Sequence, residues 1–261
     1  MDDDLRDNIR QVARMLAEAK RVSCLTGAGV SAESGVATFR EPGGLWEGRR
    51  PEEVATPQAF AADPHDVWRF YLWRRKALAQ CKPNPGHFAL ARLEQMIEDF
   101  ALITQNVDGL HRQAGSQRVI ELHGDAWINR CTRWDARPDQ PPCPELRGSP
   151  EDGFDDIPHC PQCGSMMRPG VVWFGEMLPP EAFTEAQDAA ARCEVMLVVG
   201  TSSVVEPAAS LATWAAGSGA AVVEVNPNRT VLSASADVCL TGPSGKTLPA
   251  IVEQMEGLNA G

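Results

Sequence analysis

Four short apolar runs, each closed by glycine, asparagine or a hydroxyl residue, constrain this chain more than any other feature. RVSCLT (21–26) runs into Gly27-Ala28-Gly29, and ALITQN (101–106) ends on Gln105 and Asn106. EVMLVVGTSS (194–203) ends on Gly200, Thr201 and Ser202, and AVVEVN (221–226) ends on Asn226. Near-continuous apolar runs of this length fit strands covered on both faces. RVIELHG (118–124) reads as a further strand. Helical patterns lie between them. Over residues 5–20, Ile9, Val12 and Leu16 share one face, behind an Asp-rich start that suits the positive end of a helix dipole. Over 85–98, Asn84-Pro85 offers an N-cap followed by a proline at the first helical position. This alternation implies an α/β fold built on a parallel sheet, with ligands held outside the carboxyl ends of its strands.

Two segments break the alternation. Residues 39–83 are rich in Trp, Arg and Pro, and residues 126–169 hold many prolines and four cysteines. Both read as insertions that build a smaller second domain, which leaves 1–38, 84–125 and 170–261 for the sheet domain. A chain of 261 residues is long enough for this division. No stretch approaches the roughly 20 apolar residues that span a bilayer. The acidic start, MDDDLRDNIR, lacks the basic and apolar regions of a secretory signal, so the chain is placed in the cytoplasm, off the membrane. Its formal net charge of -11 argues against direct nucleic-acid binding. A monomer is expected.

A glycine pair after a strand lets backbone approach a pyrophosphate. Yet in GAGVSAESG the third glycine is too far along for the usual G-x-G-x-x-G spacing, and no acidic ribose ligand follows on a second strand. By itself the segment reads equally well as a plain tight turn.

The wider context carries more. Residues 27–40 read GAGVSAESGVATFR, residues 104–111 TQNVDGLH and residues 122–124 LHG; VVWFGE (171–176), GTSSVVEP (200–207) and VNPN (225–228) follow. These blocks, in this order, resemble the sirtuin family along nearly the whole chain. The resemblance implies a Rossmann-like domain with a smaller inserted zinc-ribbon and helical domain, and NAD⁺ in the crevice between them. It further implies an NAD⁺-dependent protein-lysine deacylase, which releases nicotinamide, free lysine and O-acyl-ADP-ribose without reducing the pyridine ring.

The resemblance assigns roles by position. His123 matches the general base; an imidazole titrates near neutral pH and can take a ribose hydroxyl proton. Gln105, Asn106, Val107 and Asp108 match the loop lining the nicotinamide and ribose pocket, with Asn106 counted beside His123 in the catalytic pair. Gly27, Ala28, Gly29, Glu33, Thr38, Phe39, Arg40 and Trp46 fall on the phosphate turn and the cofactor loop after it. Gly200, Thr201 and Ser202 would hold a ribose or phosphate, Asn226, Pro227 and Asn228 the adenosine ribose, and Ser244 the adenine end. VVWFGE and the segment after GTSS would clamp a substrate backbone between two extended strands, with Val172, Trp173, Phe174, Gly175 and Glu176 touching the acyl-lysine segment. The alternative is that Trp173 and Phe174 are simply core aromatics, Phe174 above all. His87 is read as structural, His111 as packing, and His65 and His159 as exposed.

Tyr71 is the single tyrosine of the chain, and Arg74 lies three residues later, on the same face of a helix. A phenol and a guanidinium together can hold a carboxylate. The bland alternative is an aromatic helix packing inward with its arginines in water. The sirtuin branch that removes succinyl, malonyl and glutaryl groups carries Tyr-x-x-Arg at this point, and Ala55 matches the small residue that widens its acyl pocket. The resemblance therefore implies acidic acyl-lysine substrates, with acetyl also accepted.

The eight cysteines divide into two sets. Cys24, Cys81, Cys193 and Cys239 are scattered in mostly apolar surroundings and read as core. Cys131, Cys143, Cys160 and Cys163 cluster. Tetrahedral structural zinc usually takes two close ligand pairs. Cys160 and Cys163 form one, but Trp134 stands where the family's partner of Cys131 is expected. Cys143 can supply the fourth thiolate, His159 and Asp135 being weaker substitutes; the alternative is a degenerate site that holds zinc poorly. Among other functions, a dehydrogenase is opposed by the broken glycine spacing, a zinc-ribbon binding module by His123 and Asn106, and ADP-ribosyl transfer would use the same pocket.

Overall fold

The computed structural model describes residues 3–37, 49–133, 141–152 and 156–259. Its strands are β1 (Arg21–Thr26), β2 (Asp99–Thr104), β3 (Val119–Glu121), β4 (Gly124–Cys131), β5 (Leu146–Arg147), β6 (Met167–Val171), β7 (Val195–Val199), β8 (Ala221–Asn226) and β9 (Val238–Thr241). Its helices are α1 (Asp3–Glu18), α2 (Pro51–Val54), α3 (Pro57–Ala62), α4 (Pro64–Leu78), α5 (Pro85–Met96), α6 (Leu110–Gln113), α7 (Pro180–Arg192), α8 (Ser210–Gly217) and α9 (Ser244–Asn259). None of the described helices is long and apolar enough to cross a membrane.

Six strands form one sheet in the order β3-β2-β1-β7-β8-β9, and every pairing in it is parallel. Side-chain alternation explains why these strands read as unbroken apolar runs. On β7, Val195, Leu197 and Val199 enter a core shared with α1, α5 and α9, while Met196 and Val198 enter a second core with α7 and α8. In α1 the buried set is Ile9, Val12, Ala13 and Leu16, one face at 3.6-residue spacing. The start of α5 is fixed by Asn84, whose side chain accepts the Gly86 N–H at 2.9 Å, while His87 Nδ1 accepts the Asn84 N–H at 3.2 Å. Strand order reverses between β1 and β7, which makes the crevice above their carboxyl ends the natural ligand site.

The smaller unit is an antiparallel three-stranded sheet, β5-β4-β6, covered by α2, α3 and α4. Its core joins Val54, Phe60, Trp68 and Leu72 to Trp127, Cys131 and Met167. Arg75 ties the helices to this sheet. Its fully buried side chain donates to the Ala126 carbonyl at 2.6 Å, the Asn129 side chain at 2.6 Å and the Ile128 carbonyl at 3.2 Å. A buried guanidinium needs that many acceptors to offset its lost hydration.

Three expectations shift. The strand read over 194–203 stops at Val199, because Gly200 (φ 60°) and Ser203 (φ 55°) turn the chain into the left-handed region. The run at 118–124 splits into β3 and β4 around Gly124 (φ 76°). Cys81 and Cys239 are half-buried, whereas Cys24 and Cys193 are core.

Candidate active site

The carboxyl ends of β1, β2, β7 and β8 converge as the register requires, with Thr26 opposite both Thr104 and Val199, and Val199 opposite Val225. Gly27 donates to the Val199 carbonyl and Gly29 to the Gly200 carbonyl, so two turns interlock. A side chain is excluded from all three glycines. A Cβ on Gly29 would lie 2.7 Å from the Gly200 oxygen, and one on Gly200 would lie 2.3 Å from the Val30 nitrogen. Ala28 opens the short 3₁₀ helix Ala28–Ser34 that follows. Glu33, on that helix, accepts the Gly245 N–H at 2.7 Å and so anchors the start of α9.

The TQNVD loop leaves β2 and packs onto this turn. Asn106 donates its side-chain amide to the Gly27 carbonyl at 3.0 Å and to Ser31 Oγ at 3.2 Å. Ser31 in turn donates to Asp108 Oδ2 at 2.8 Å, while the Leu110 N–H donates to Oδ1 at 2.9 Å. Burial pushes the Asp108 carboxyl up, against the pull of these two donors and of Arg74 nearby. Behind the loop sit two buried histidines, His87 and His111, with ring centroids 4.9 Å apart. His87 Nε2 faces Ser31 Oγ at 3.3 Å, and His111 Nε2 faces Thr26 Oγ1 at 3.0 Å. Ser31 therefore belongs to the site, although the sequence reading passed over it; its contact to Asp108 spans 77 residues of chain. Val107 O accepts the Ala126 N–H, which links this loop to β4.

His123 precedes β4 at the mouth of the crevice. Its Nδ1 lies 3.0 Å from the Gln105 carbonyl. A carbonyl only accepts, so Nδ1 carries the proton and Nε2 keeps its lone pair. Burial lowers the imidazole pKa below 6.5, partly offset by that carbonyl. Gln105 also donates its side-chain amide to Thr201 Oγ1 at 3.0 Å, and Asn226 donates to the Thr201 carbonyl at 2.8 Å. Ser202 is half-buried, whereas Pro227 and Asn228 are exposed beyond β8. Ser203 and Ser244 each bury a hydroxyl oxygen with no hydrogen-bond partner among the described residues. Thr38, Phe39, Arg40 and Trp46 lie outside the described residues.

A second cluster of site candidates lies packed in the core of the smaller unit. Ala55, Tyr71 and Trp173 are buried in one cluster, and the Phe174 N–H donates to the Ala55 carbonyl at 2.9 Å. Tyr71 accepts the indole N–H of Trp173 at 3.0 Å. Arg74 is only 8% exposed, yet its Nε has no partner among the described residues, and it feels both Tyr71 and Asp108. The bland reading of arginines in water thus fails at this residue. Glu176 accepts the Trp173 N–H at 2.8 Å and pairs with Arg168, which stacks over the Trp173 ring at 3.4 Å from its centroid. Phe174 is 53% exposed, so it is no core aromatic, and Gly175 turns at φ 85°. The expected pair of extended strands is absent among the described residues. β6 ends at Val171, Val172 donates to the His123 carbonyl at 2.9 Å, and the segment after Ser203 coils into turns before α8.

The cysteines give the clearest geometry. The Sγ atoms of Cys131, Cys143, Cys160 and Cys163 all lie within 4.8 Å of one another. Two of the separations are 3.5 and 3.7 Å, close to the ~3.8 Å edge of a tetrahedron with Zn–S bonds of about 2.3 Å. Ser165 draws the Cys163 thiol down to about 6, and a thiolate is the form a metal takes. The donor set therefore fits one structural zinc ion, with Cys143 completing it. His159 stands apart, exposed and bridged to Met166, and Asp135 lies outside the described residues.

Comparison with known proteins agrees with this arrangement. Residues 27–207 match the Sir2 family. An NAD-dependent protein deacylase 2 of Pyrobaculum aerophilum is 47% identical over 94% of this chain and 95% of its own length. An NAD-dependent protein deacylase of Pyrococcus furiosus is 46% identical, with 95% and 98% covered. The crystal structure of a Sir2 homologue in complex with NAD superposes with a TM-score of 0.87 at 44% identity, over 95% of this chain and 94% of the other. The interlocked glycine turns, the tethered histidine and the four-thiol cluster thus sit on a chain that belongs to the Sir2 family.

Proposed function

We propose that the protein is an NAD⁺-dependent protein-lysine deacylase with His123 as general base, acting on succinyl, malonyl and glutaryl as well as acetyl groups. The observation that carries the first half is the tether between His123 and Gln105, which leaves Nε2 unprotonated at the mouth of the crevice. The residues fit a dinucleotide: glycines where any side chain would collide, and the buried hydroxyls of Ser203 and Ser244, which have no partner among the described residues. When bound, NAD⁺ supplies a glycosidic bond whose cleavage frees nicotinamide and a ribose that takes up the acyl group.

The chain's own residues do the rest. Gly27, Ala28, Gly29 and Gly200 admit phosphate oxygens to the backbone, with Glu33 holding the local geometry through α9. Gln105, Asn106, Val107 and Asp108 order the nicotinamide and ribose side, and Thr201, Ser202, Asn226, Pro227, Asn228 and Ser244 the adenosine side. His123 Nε2 removes a ribose hydroxyl proton. Val172, Phe174, Gly175 and Glu176 offer backbone and rim to an acyl-lysine peptide. Zinc, held by Cys131, Cys143, Cys160 and Cys163, staples the smaller unit and touches no reacting atom.

The acyl preference rests on Arg74. A buried guanidinium whose Nε has no partner among the described residues, close to the Tyr71 phenol, calls for an anion at the end of the acyl chain, with Ala55 buried in the same cluster as Tyr71. The enzyme is read as a cytoplasmic monomer that binds neither nucleic acid nor membrane. One assay tests the whole reading: purified protein with acetyl-, succinyl-, malonyl- and glutaryl-lysine peptides, with and without NAD⁺, scored by mass spectrometry. We expect nicotinamide and O-acyl-ADP-ribose in equal amounts, only with NAD⁺, and fastest on the acidic acyl groups. Lysine release without NAD⁺ would overturn the first half, and a preference for acetyl the second.

A further inference from the structure

We propose that Trp173 is a specificity-determining positioning residue, whose indole N–H forces the Tyr71 hydroxyl to act as a donor toward the acyl carboxylate. The inference rests on the acidic-acyl reading of Tyr71 and Arg74. It concerns a residue that acts through Tyr71 and not on the carboxylate itself.

A phenol hydroxyl has one proton to give and lone pairs to receive. At Tyr71 the receiving side is engaged by Trp173 Nε1 at 3.0 Å, with both residues buried. No acceptor for the Tyr71 proton is found among the described residues. Arg74, close enough to Tyr71 to influence its ionisation, is a pure donor whose buried Nε has no partner among the described residues. Tyr71 and Arg74 therefore both offer donors, while the nearby Glu176 and Asp108 carboxylates act on them only through charge. A carboxylate, which only accepts, satisfies both residues. A neutral amide of the same size must turn its NH₂ toward donors, or leave one of them unmet.

The indole that imposes this polarity is itself fixed. Arg168 lies over one face of the ring at 3.4 Å, and Phe60 approaches it at 5.3 Å with a 39° tilt. Glu176 holds the Trp173 backbone N–H and binds Arg168 through both carboxylate oxygens. The buried Trp68 and Trp127 spend their indole N–H on main-chain carbonyls, whereas Trp173 spends its own on the Tyr71 side-chain hydroxyl.

The test compares kcat/KM for a succinyl-lysine peptide and its terminal-amide isostere, succinamoyl-lysine, in wild type, Trp173→Phe, Tyr71→Phe and the double variant. Trp173→Phe keeps an aromatic ring and removes the N–H, so the Tyr71 hydroxyl can rotate and accept from an amide. We expect the acid-to-amide ratio to fall about five- to tenfold in Trp173→Phe. Tyr71→Phe should fall similarly, and the double variant no further than Tyr71→Phe alone. A general packing defect would slow both peptides and leave their ratio intact. Should Trp173→Phe fail to fold, site-specific replacement by the benzothiophene analogue of tryptophan keeps the ring area without the N–H and is read by the same ratio. An unchanged ratio in the variant, or additive losses in the double variant, overturns the proposal while leaving the acidic-acyl reading standing. A wild type that fails to prefer the acid overturns both.

Discussion

His123 Nδ1 lies 3.0 Å from the main-chain oxygen of Gln105, the same residue whose side chain reaches Thr201. One residue thus sets the tautomer of the imidazole and ties it to the turn after β7. Burial lowers the imidazole pKa below 6.5, and the base works only when neutral. The acid limb of the kcat/KM profile should therefore fall below pH 6.5, with activity level above it. His123→Ala should lower kcat by roughly 10²–10⁴-fold, measured as nicotinamide release at saturating NAD⁺ and peptide. An acid limb above pH 6.5, or a variant within tenfold of wild type, would remove His123 from the role of base.

The reach of sequence reasoning differs between sheet and site. β1, β7 and β8 were legible because strands buried on both faces write unbroken apolar runs, and α1 because one face repeats every turn. Strand ends were not, since they depend on φ at Gly124, Gly200 and Ser203. β9 and α9 passed unread: VCLT is only four residues, and Pro249 interrupts the helical pattern after it. Within the site, His123, Asn106 and the four cysteines were found from motif and clustering. Ser31 was missed because its value lies in contacts to His87 and Asp108, 56 and 77 residues away. The Trp173–Tyr71 bond bridges 102 residues. No local pattern reports such pairings.

The buried pair His87 and His111 predicts how stability varies with pH. Burial lowers His87 to about 4 and His111 to about 3, from an ordinary 6.5. Between those values and 6.5 the unfolded chain binds protons that the folded chain refuses, so stability falls as pH falls. At pH 5 both rings remain neutral when folded, and each should have lost about 2 kcal/mol relative to neutral pH, about 4 kcal/mol together. Urea unfolding at pH 7.5 and pH 5 measures the loss. His111→Gln should be less stable at pH 7.5 yet lose about 2 kcal/mol less than wild type over that interval. An identical pH slope in the variant would mean that His111 is not the group responsible.

The cysteine cluster predicts one zinc ion per chain, with Cys143 as an obligatory ligand. Cys143→Ser should lower zinc content well below one equivalent, while His159→Ala should not, because His159 lies apart from the four thiols. Loss of the ion frees β4 from the Cys160–Cys163 turn and should lower the melting temperature by roughly 10 °C. Atomic absorption and thermal melts on the two variants settle the ligand assignment; full zinc in Cys143→Ser would return the fourth position to another group.

Arg74 should carry opposite signs for stability and for activity. Its guanidinium is buried, and among the described residues its Nε has no partner and Asp108 and Tyr71 compensate its charge in part. Replacing an undercompensated buried cation by an apolar side chain of similar length removes a desolvation cost. Arg74→Met should therefore raise the stability of the unliganded protein by about 1–3 kcal/mol. The same change removes the planar donor that a terminal carboxylate needs, so kcat/KM for succinyl-lysine should fall by at least about tenfold more than kcat/KM for acetyl-lysine. Denaturant melts and paired peptide kinetics read the two effects separately. A variant both less stable and equally slowed on both peptides would show that Arg74 serves the fold and not the acyl group.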